Sequence, residues 1–543
     1  MNILKTVGTR GIKKIYTSPV IPIFIFCAAI VYFFHFDIFL SSDSAWSGIA
    51  SMQLLRRGLQ YLPYLDAWGL SYLFGYYLIQ YFLLNLLQQG LSSNLMEALN
   101  LITGAVSVCN VTLIYVMFRK ISFNKMLSSC MAIFYFFIPM VFQLSLYTNP
   151  NTYSLFFFIS SNIFFISYLL DSKKTNLVLL LFFSVLSLLV RVDTILSYCS
   201  FLSWALVLNK SFKRALFVCF FTMFVSFIIF VIIQKLLLGQ GILDGRAFTG
   251  FSSLDYDFFN VRSMVVAIGH IFFSAGIGLV CISLFFIARC LYLRDFKIPL
   301  ATLIWIFPVL VYITIMAKYH VSRYCVISFI GFLLPVGFIA RSFCGSKKKR
   351  IVIFFIMIGI IVFGSMPLSY FLVKTHYPLR KHYKPGERIV VEYTPLGNIF
   401  TNAYSLREEK RRAWYTAEQV IRKYNKVIVV ADNTCILPYI YFLYYLFENV
   451  GQEEVTVHTR RYTAFNRELI FIDIGLERDR TIAPRYDRKI VLDCLNNPLY
   501  DQFVLLVPPY ICERDRQLCD EMEKKCSQEK RILVKVNDPH QAQ

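Results

Sequence analysis

The chain has 543 residues, of which 57% are apolar and only 16% charged, and phenylalanine alone contributes 53. That balance excludes a soluble globular protein, because runs of about 20 apolar residues, each able to cross the ~30 Å hydrocarbon core as a helix, recur along the sequence. The formal charge of +22 does not indicate nucleic acid as a partner. Lys and Arg cluster in short stretches between apolar runs, the pattern of cytoplasmic loops beside anionic lipid.

In chain order, Lys5, Arg10, Lys13 and Lys14 precede the first apolar run, residues 18–40. The run is too long for a signal-peptide core and lacks a small-residue cleavage site, so it reads as a retained helix with a cytoplasmic N-terminus. Later basic clusters stand at Arg119/Lys120/Lys125, Lys173/Lys174, Lys210/Lys213/Arg214, Arg289/Arg294/Lys297, and Arg341 with 347–350. All should share one side. Two apolar stretches, 70–87 and 98–118, lie between the first run and Arg119, so one of them must fail to cross. The first is the better choice: Gly75, Gln80 and Asn85 interrupt it, and it is rich in Tyr, as an interfacial helix would be. Eleven spans result, near 18–40, 97–118, 126–147, 152–170, 176–190, 194–209, 215–237, 263–288, 298–316, 323–340 and 351–372, with a long outer loop at 41–96. The expected architecture is a polytopic α-helical membrane protein, residues 1–373, followed by an extracytoplasmic α/β domain, residues 374–543.

That tail carries 27 of the 55 basic residues and 23 of the 33 acids, a shift that marks a soluble domain. Within it "NKVIVVADN", "ELIFIDIG", "QFVLLVPP" and "RILVKVN" read as buried strands between helical segments. Cys512, Cys519 and Cys526 recur every seven residues, which is one helix face rather than a zinc ligand set. With Cys435 and Cys494 they make an odd five, which does not suggest a disulfide framework.

Ten acids remain in the first 373 residues: Asp37, Asp43, Asp66, Glu97, Asp171, Asp193, Asp244, Asp255, Asp257 and Asp295. Asp171 and Asp295 adjoin cytoplasmic clusters; the others fall at or near the outer boundary. A transporter would more often place its charges at the midplane. Asp43, in "SSDSAWSGIASMQLLRRG", either caps a helix, as Ser41 or Ser42 also would, or serves as a base. Arg56 and Arg57 either hold a phosphate or end that helix before Gly58. Asp66 beside Trp68 orients a sugar or ends a turn. Arg191 and Asp193 in "LVRVDTIL" form a boundary ion pair or a ligand site. Lys318, His320 and Arg323, with Tyr319 and Tyr324, put three bases on the side that normally has few, where a lipid-linked phosphate would use them.

The sequence "D-x-A-W-x-x-I-A-x-x-L-L-x-x-G" after one span, the basic "K-x-H-x-x-R-Y" at a late outer helix start and the outer α/β tail resemble the polyprenyl-phosphate-sugar-dependent glycosyltransferases of the C superfamily. That group includes protein O-mannosyltransferases and the aminoarabinose lipid A transferase. The resemblance covers about the first 345 residues in architecture and implies that Asp43 is the first-loop catalytic acid, with Lys318, Arg323 and Tyr324 near the donor phosphate. Where members often carry a second acid, this chain has Asn149 and Asn151 in "LYTNPNTYS", which suit sugar binding. Asp66 stands where the lipid A type has an acid-lysine-proline run, and the lysine is missing.

The implied reaction transfers a sugar from a polyprenyl-phosphate donor to an acceptor hydroxyl of a glycan, lipid or protein at the outer face of the cell (inner) membrane, with inversion. Polyprenyl phosphate leaves as a stable anion, so fixed positive charge matters more than a general acid. The acceptor hydroxyl must lose a proton to a carboxylate base such as Asp43. No definite cofactor is assigned. A divalent ion among Asp43, Asp193, Asp255 and Asp257 is left open, since no spacing demands one. The alternatives are a lipid-linked glycan polymerase or ligase, and a polytopic transporter or flippase.

Overall fold

The computed structural model describes residues 19–35, 42–68, 73–87, 95–238, 274–311, 326–343, 359, 417–431, 433–456, 459–473, 491–493, 496, 503–507, 516–528 and 533–535. The protein is mostly helical, with a small C-terminal sheet, and divides into two compact units.

The first unit opens with α1 (Val20–His35). The next helix, α2 (Ser42–Arg57), groups with the second unit, although the sequence places it in the outer loop of the membrane domain. The first unit resumes with a 3-10 segment, Leu59–Trp68, and α3 (Phe74–Leu87). It continues through α4 (Leu95–Lys120), α5 (Lys125–Phe136), α6 (Pro139–Leu144), α7 (Pro150–Asp171) and α8 (Lys174–Val190). A 3-10 segment, Val192–Cys199, leads into α9 (Ser200–Val207) and α10 (Phe212–Leu238). Then come α11 (Ile277–Tyr292), α12 (Lys297–Val311), a 3-10 turn at Ser328–Phe332, and α13 (Leu333–Phe343).

Among the described residues, three helices are long and apolar enough to cross a membrane: Ala98–Lys120, Pro150–Asp171 and Phe212–Leu238. Of the other expected spans, 176–190 is a shorter helix and 126–147 and 194–209 are interrupted, while 18–40, 263–288, 298–316 and 323–340 run partly outside the described residues. The expected helix at 126–147 breaks after Phe136, because Pro139 disfavours helical geometry at Ile138 and opens α6 instead. The span at 194–209 starts as 3-10 helix before α9. The segment 351–372 lies outside the described residues apart from Gly359. Large apolar side chains face outward along the bundle, with Phe217, Phe220, Phe224, Ile228 and Ile232 on α10 all exposed. So much apolar surface on a folded unit is the mark of a lipid-facing wall.

Four helical hairpins close on residues in the left-handed region: Ser122 (φ 70°), Ser172 (57°), Asn209 (51°) and Arg294 (57°). Each turn carries basic side chains, and contacts gather all four at one end. Arg214 lies 4.7 Å over the Tyr168 ring, joining the second and third turns. Lys297 Nζ donates to Asn209 Oδ1 at 2.6 Å, joining the third and fourth. The first turn shares that end because α4 and α7 run parallel: Asn100 and Thr103 near the start of α4 bond Thr148 and Tyr153 at the start of α7. Grouping of the cationic loops, read from sequence as a rule of orientation, is thus a property of the folded bundle.

The direction of α1 follows in the same way. Phe26 meets Phe137, about 18 Å along α5 from its turn, and Val31 lies against Gly104, about 24 Å along α4. So α1 also runs away from the basic end, and it ends where α4 begins. At that end α3 is wedged beside α8, where a Cβ on Gly75 would strike the Leu189 carbonyl. Within the described residues α3 extends over 14 residues, roughly 21 Å.

In the second unit, helical residues 417–423 lead to β1 (Lys426–Ala431), α14 (Asn433–Leu446), β2 (Val450–Thr456), β3 (Thr459–Ala464), β4 (Arg467–Asp473), β5 (Val504–Val507), α15 (Arg516–Gln528) and β6 (Leu533–Lys535). The sheet order is β2-β3-β4-β1-β5-β6, with β4, β1, β5 and β6 parallel and β2-β3-β4 an antiparallel meander. Central β1 is buried from Val427 to Val430, which explains its unbroken apolar run. The four strands expected from apolar runs are all present; the β2–β3 hairpin is additional. Cys519 and Cys526 share the buried face of α15 with Leu518 and Met522. The odd number of tail cysteines gave no reason to expect a disulfide, yet Cys519 is disulfide-bonded.

Candidate functional site

The end of the bundle opposite the basic turns collects the polar side chains. The sequence "YTNPN" starts α7: Asn149 Oδ1 accepts from Thr152 N at 3.0 Å, and Pro150 fills the first helical position, where an N–H has no partner to lose. The Asn149 amide nitrogen donates to Leu144 O (2.7 Å) and Tyr147 O (2.6 Å). Asn149 is therefore a structural cap, and its neighbour Asn151 is the one that turns to the cleft.

Arg191 stands immediately after α8. At 1.5 Å per residue, that 17-residue helix sets the guanidinium about 26 Å from the basic turn, near the far boundary of a ~30 Å core. Nε and Nη2 donate to the two Asp193 oxygens at 2.9 and 2.6 Å, and Nη1 donates to Asn151 Oδ1 at 2.6 Å. The pair is mostly buried, with 12% and 17% of the two side chains exposed. A planar fork holding both a carboxylate and an amide is a geometry only Arg supplies.

Asn151, Ser154, Arg191, Asp193, Thr194 and Ser197 line a cleft closed on its apolar side by Leu196, Val309, Val326 and Ile327. Ser154 was not among the residues flagged from sequence. It lies one helical turn after Asn151, and its buried hydroxyl has no partner among the described residues. The i, i+3 spacing from Asn151 was the signal available. Just before α7, Gln80 Nε2 donates to Tyr76 Oη and Thr148 Oγ1, and those two oxygens share a hydrogen bond, all at 2.7 Å. Asn100 Oδ1 accepts from Thr148 N at 2.9 Å. Buried polar groups in an apolar bundle need such partners, and these tie α3 and α4 to the start of α7.

Chemically, the cleft pairs one cation with one anion and adds a hydroxyl and an amide. It suits a neutral, hydroxyl-bearing group better than an acid–base role, because Asp193 is tied to Arg191 through both oxygens. For the same reason Asp193 does not suit a divalent-ion ligand. Among the described residues no group of three or more His, Cys, Asp or Glu side chains gathers for a metal.

The remaining candidates fall elsewhere. Asp43 lies in the first turn of α2 and Asp66 in the Leu59–Trp68 segment, but both side chains are outside those described. Lys318, His320, Arg323 and Tyr324 lie outside the described residues, as do Asp255 and Asp257. Val309 and Val326, on either side of 312–325, line the cleft. In the second unit, Arg56 donates to Tyr444 O, Tyr445 O and Phe447 O, and Arg57 to Glu448 O. These two guanidiniums are engaged with main-chain carbonyls at the end of α14. Compared with known proteins, the chain matches no family model, and no curated protein matches it significantly.

Proposed function

We propose that the protein is an eleven-span glycosyltransferase of the cell membrane, with a cytoplasmic N-terminus and an extracytoplasmic C-terminal domain, that moves a sugar from a polyprenyl-phosphate donor to an acceptor hydroxyl. The acceptor oxygen attacks C1 of the sugar, its proton passes to the Asp43 carboxylate, and the C1–O bond to the phosphate breaks with inversion. Asn151, Ser154, Arg191 and Asp193 bind sugar or acceptor hydroxyls. Lys318, His320, Arg323 and Tyr324 stabilise the departing phosphate, a task that falls to them because Arg56 and Arg57 are engaged with carbonyls.

The observation that carries this reading is the cleft built on Asn151, Arg191 and Asp193, one hydrocarbon thickness from the basic turns. A lipid-linked donor presents its sugar at that depth. The Cys519 disulfide supports an oxidising, extracytoplasmic setting for the second unit.

The test is to incubate membranes containing the protein with a panel of polyprenyl-phosphate sugars and follow which is consumed and what becomes labelled. Asp43→Asn should lower transfer by about 10²–10⁴-fold, the usual worth of a positioned base, with membrane insertion unchanged. Full turnover in that variant would remove Asp43 from the mechanism.

A further inference from the structure

We infer that the C-terminal domain serves to hold the Asp43 helix in place, and that Arg56 is the positioning residue through which it does so. The inference rests on the proposed role of Asp43. The last carbonyls of any helix lack intrahelical donors. In α14, Phe447 N reaches back to Leu443 O at 3.1 Å, and the carbonyls of Tyr444 and Tyr445 lie beyond that bond in the last turn. Arg56 bonds that turn: Nη1 donates to Tyr444 O at 2.7 Å and Phe447 O at 3.0 Å, and Nη2 to Tyr445 O at 2.8 Å. Arg57 Nη2 adds Glu448 O at 3.2 Å. Nearly 400 residues of chain separate the donors from these acceptors, so this is tertiary structure and not local capping.

The packing agrees. Helix α2 lies against α14, burying Ala45, Ile49 and Leu54, while α14 buries Tyr439 through Tyr444. A cation at a helix C-terminus also meets the negative end of its dipole. Three carbonyls on one guanidinium fix direction as well as distance, which a lysine ammonium cannot do.

The consequence lies at the other end of α2. Asp43 is 13 residues before Arg56, about 20 Å along a straight helix. A tilt of about 10° at the anchor displaces Asp43 by about 3 Å, and a misplacement of about 1 Å already costs on the order of 10²-fold in rate. A domain remote in sequence is thereby given a role in catalysis without contributing a reacting group.

The experiment uses the full-length protein in lipid nanodiscs, as Arg56→Ala and Arg56→Lys. Amide hydrogen exchange over residues 42–57 should quicken in Arg56→Ala, less in Arg56→Lys, and stay unchanged over α7. In transfer assays kcat should fall by about 10²-fold in Arg56→Ala with donor KM little altered, and partly recover in Arg56→Lys. Unchanged exchange in α2 overturns the anchoring, and faster exchange with unchanged kcat overturns the positioning. Should Arg56→Ala fail to fold, Arg56→Lys alone decides by the same two readouts. Failure of the wild type to consume any polyprenyl-phosphate sugar, with α2 exchange behaving as expected, refutes the glycosyltransferase reading and leaves the anchor standing.

Discussion

Arginine closes helices twice in the second unit. Arg56 does so for α14, and Arg467 donates to Ile421 O, Arg422 O and Tyr424 O at the end of the 417–423 helix, with its guanidinium 5.4 Å over the Phe447 ring. Neither role was legible locally, because each acceptor is more than 40 residues away in sequence. The pair Arg56/Arg57 read either as a phosphate clamp or as the end of its own helix before Gly58. Asn149 was the reverse case: "TNP" spells a cap and a first-turn proline, and the structure uses it so. Tyrosines in the same unit set its response to alkali. Burial pushes the Tyr462 phenol up to about 12, from 10.0, against the lowering influence of Arg460. Burial raises Tyr441 as well. A phenol that stays neutral when folded contributes stability that is complete below its unfolded value and is lost as pH climbs towards the folded one. The second unit should therefore weaken between pH 10 and 12, and Tyr462→Phe should flatten that limb of a stability-against-pH curve followed by tyrosine absorbance and circular dichroism. An unchanged slope would show that this phenol is not the group responsible.

Helices and strands differed in how openly they announced themselves. Apolar runs gave the bundle helices and strands β1, β4, β5 and β6, because burial on both faces leaves no polar alternation to obscure the pattern. The β2–β3 hairpin escaped notice: "VGQEEVT" is the exposed edge strand, and "TRRYTA", although Thr459, Tyr462 and Ala464 are buried, carries little apolar signal. Helix breaks were marked by Pro139 and Pro150, but the 3-10 entry at Val192–Cys199 had no comparable sign. Gly75 was read as an interruption of an apolar stretch; its real use is contact between α3 and α8. An added Cβ would lie 2.7 Å from the Leu189 Cβ and closer still to its carbonyl group. Since the obstacle is backbone, Gly75→Ala should destabilise the first unit by about 1–3 kcal/mol, seen as a lower thermal midpoint in detergent. A midpoint equal to wild type would mean that α3 is loosely seated.

At the scale of the whole chain, parity of basic clusters was the most informative reading of the sequence, since it demanded that α1 end where α4 begins, and contacts of Phe26 and Val31 place them so. The assignment of residues to domains was less legible, because α2 is tied to its unit by partners some 390 positions away. Orientation is testable directly. Cysteines replacing Lys173 and Lys210, both exposed in the basic turns, should react with an impermeant maleimide only after the cytoplasmic face is opened; labelling in sealed right-side-out vesicles would invert the topology.

The shortness of α8 carries one more consequence. It exposes Val178 and Phe182 outward, yet runs only 17 residues before Arg191 ends it, roughly 26 Å of apolar wall against the ~30 Å core of a bilayer. A helix shorter than the hydrocarbon core draws the adjoining leaflet inward. Under the proposed function, that thinning would bring headgroups down to the level of Arg191, and a lipid-linked donor diffusing laterally would meet the cleft there.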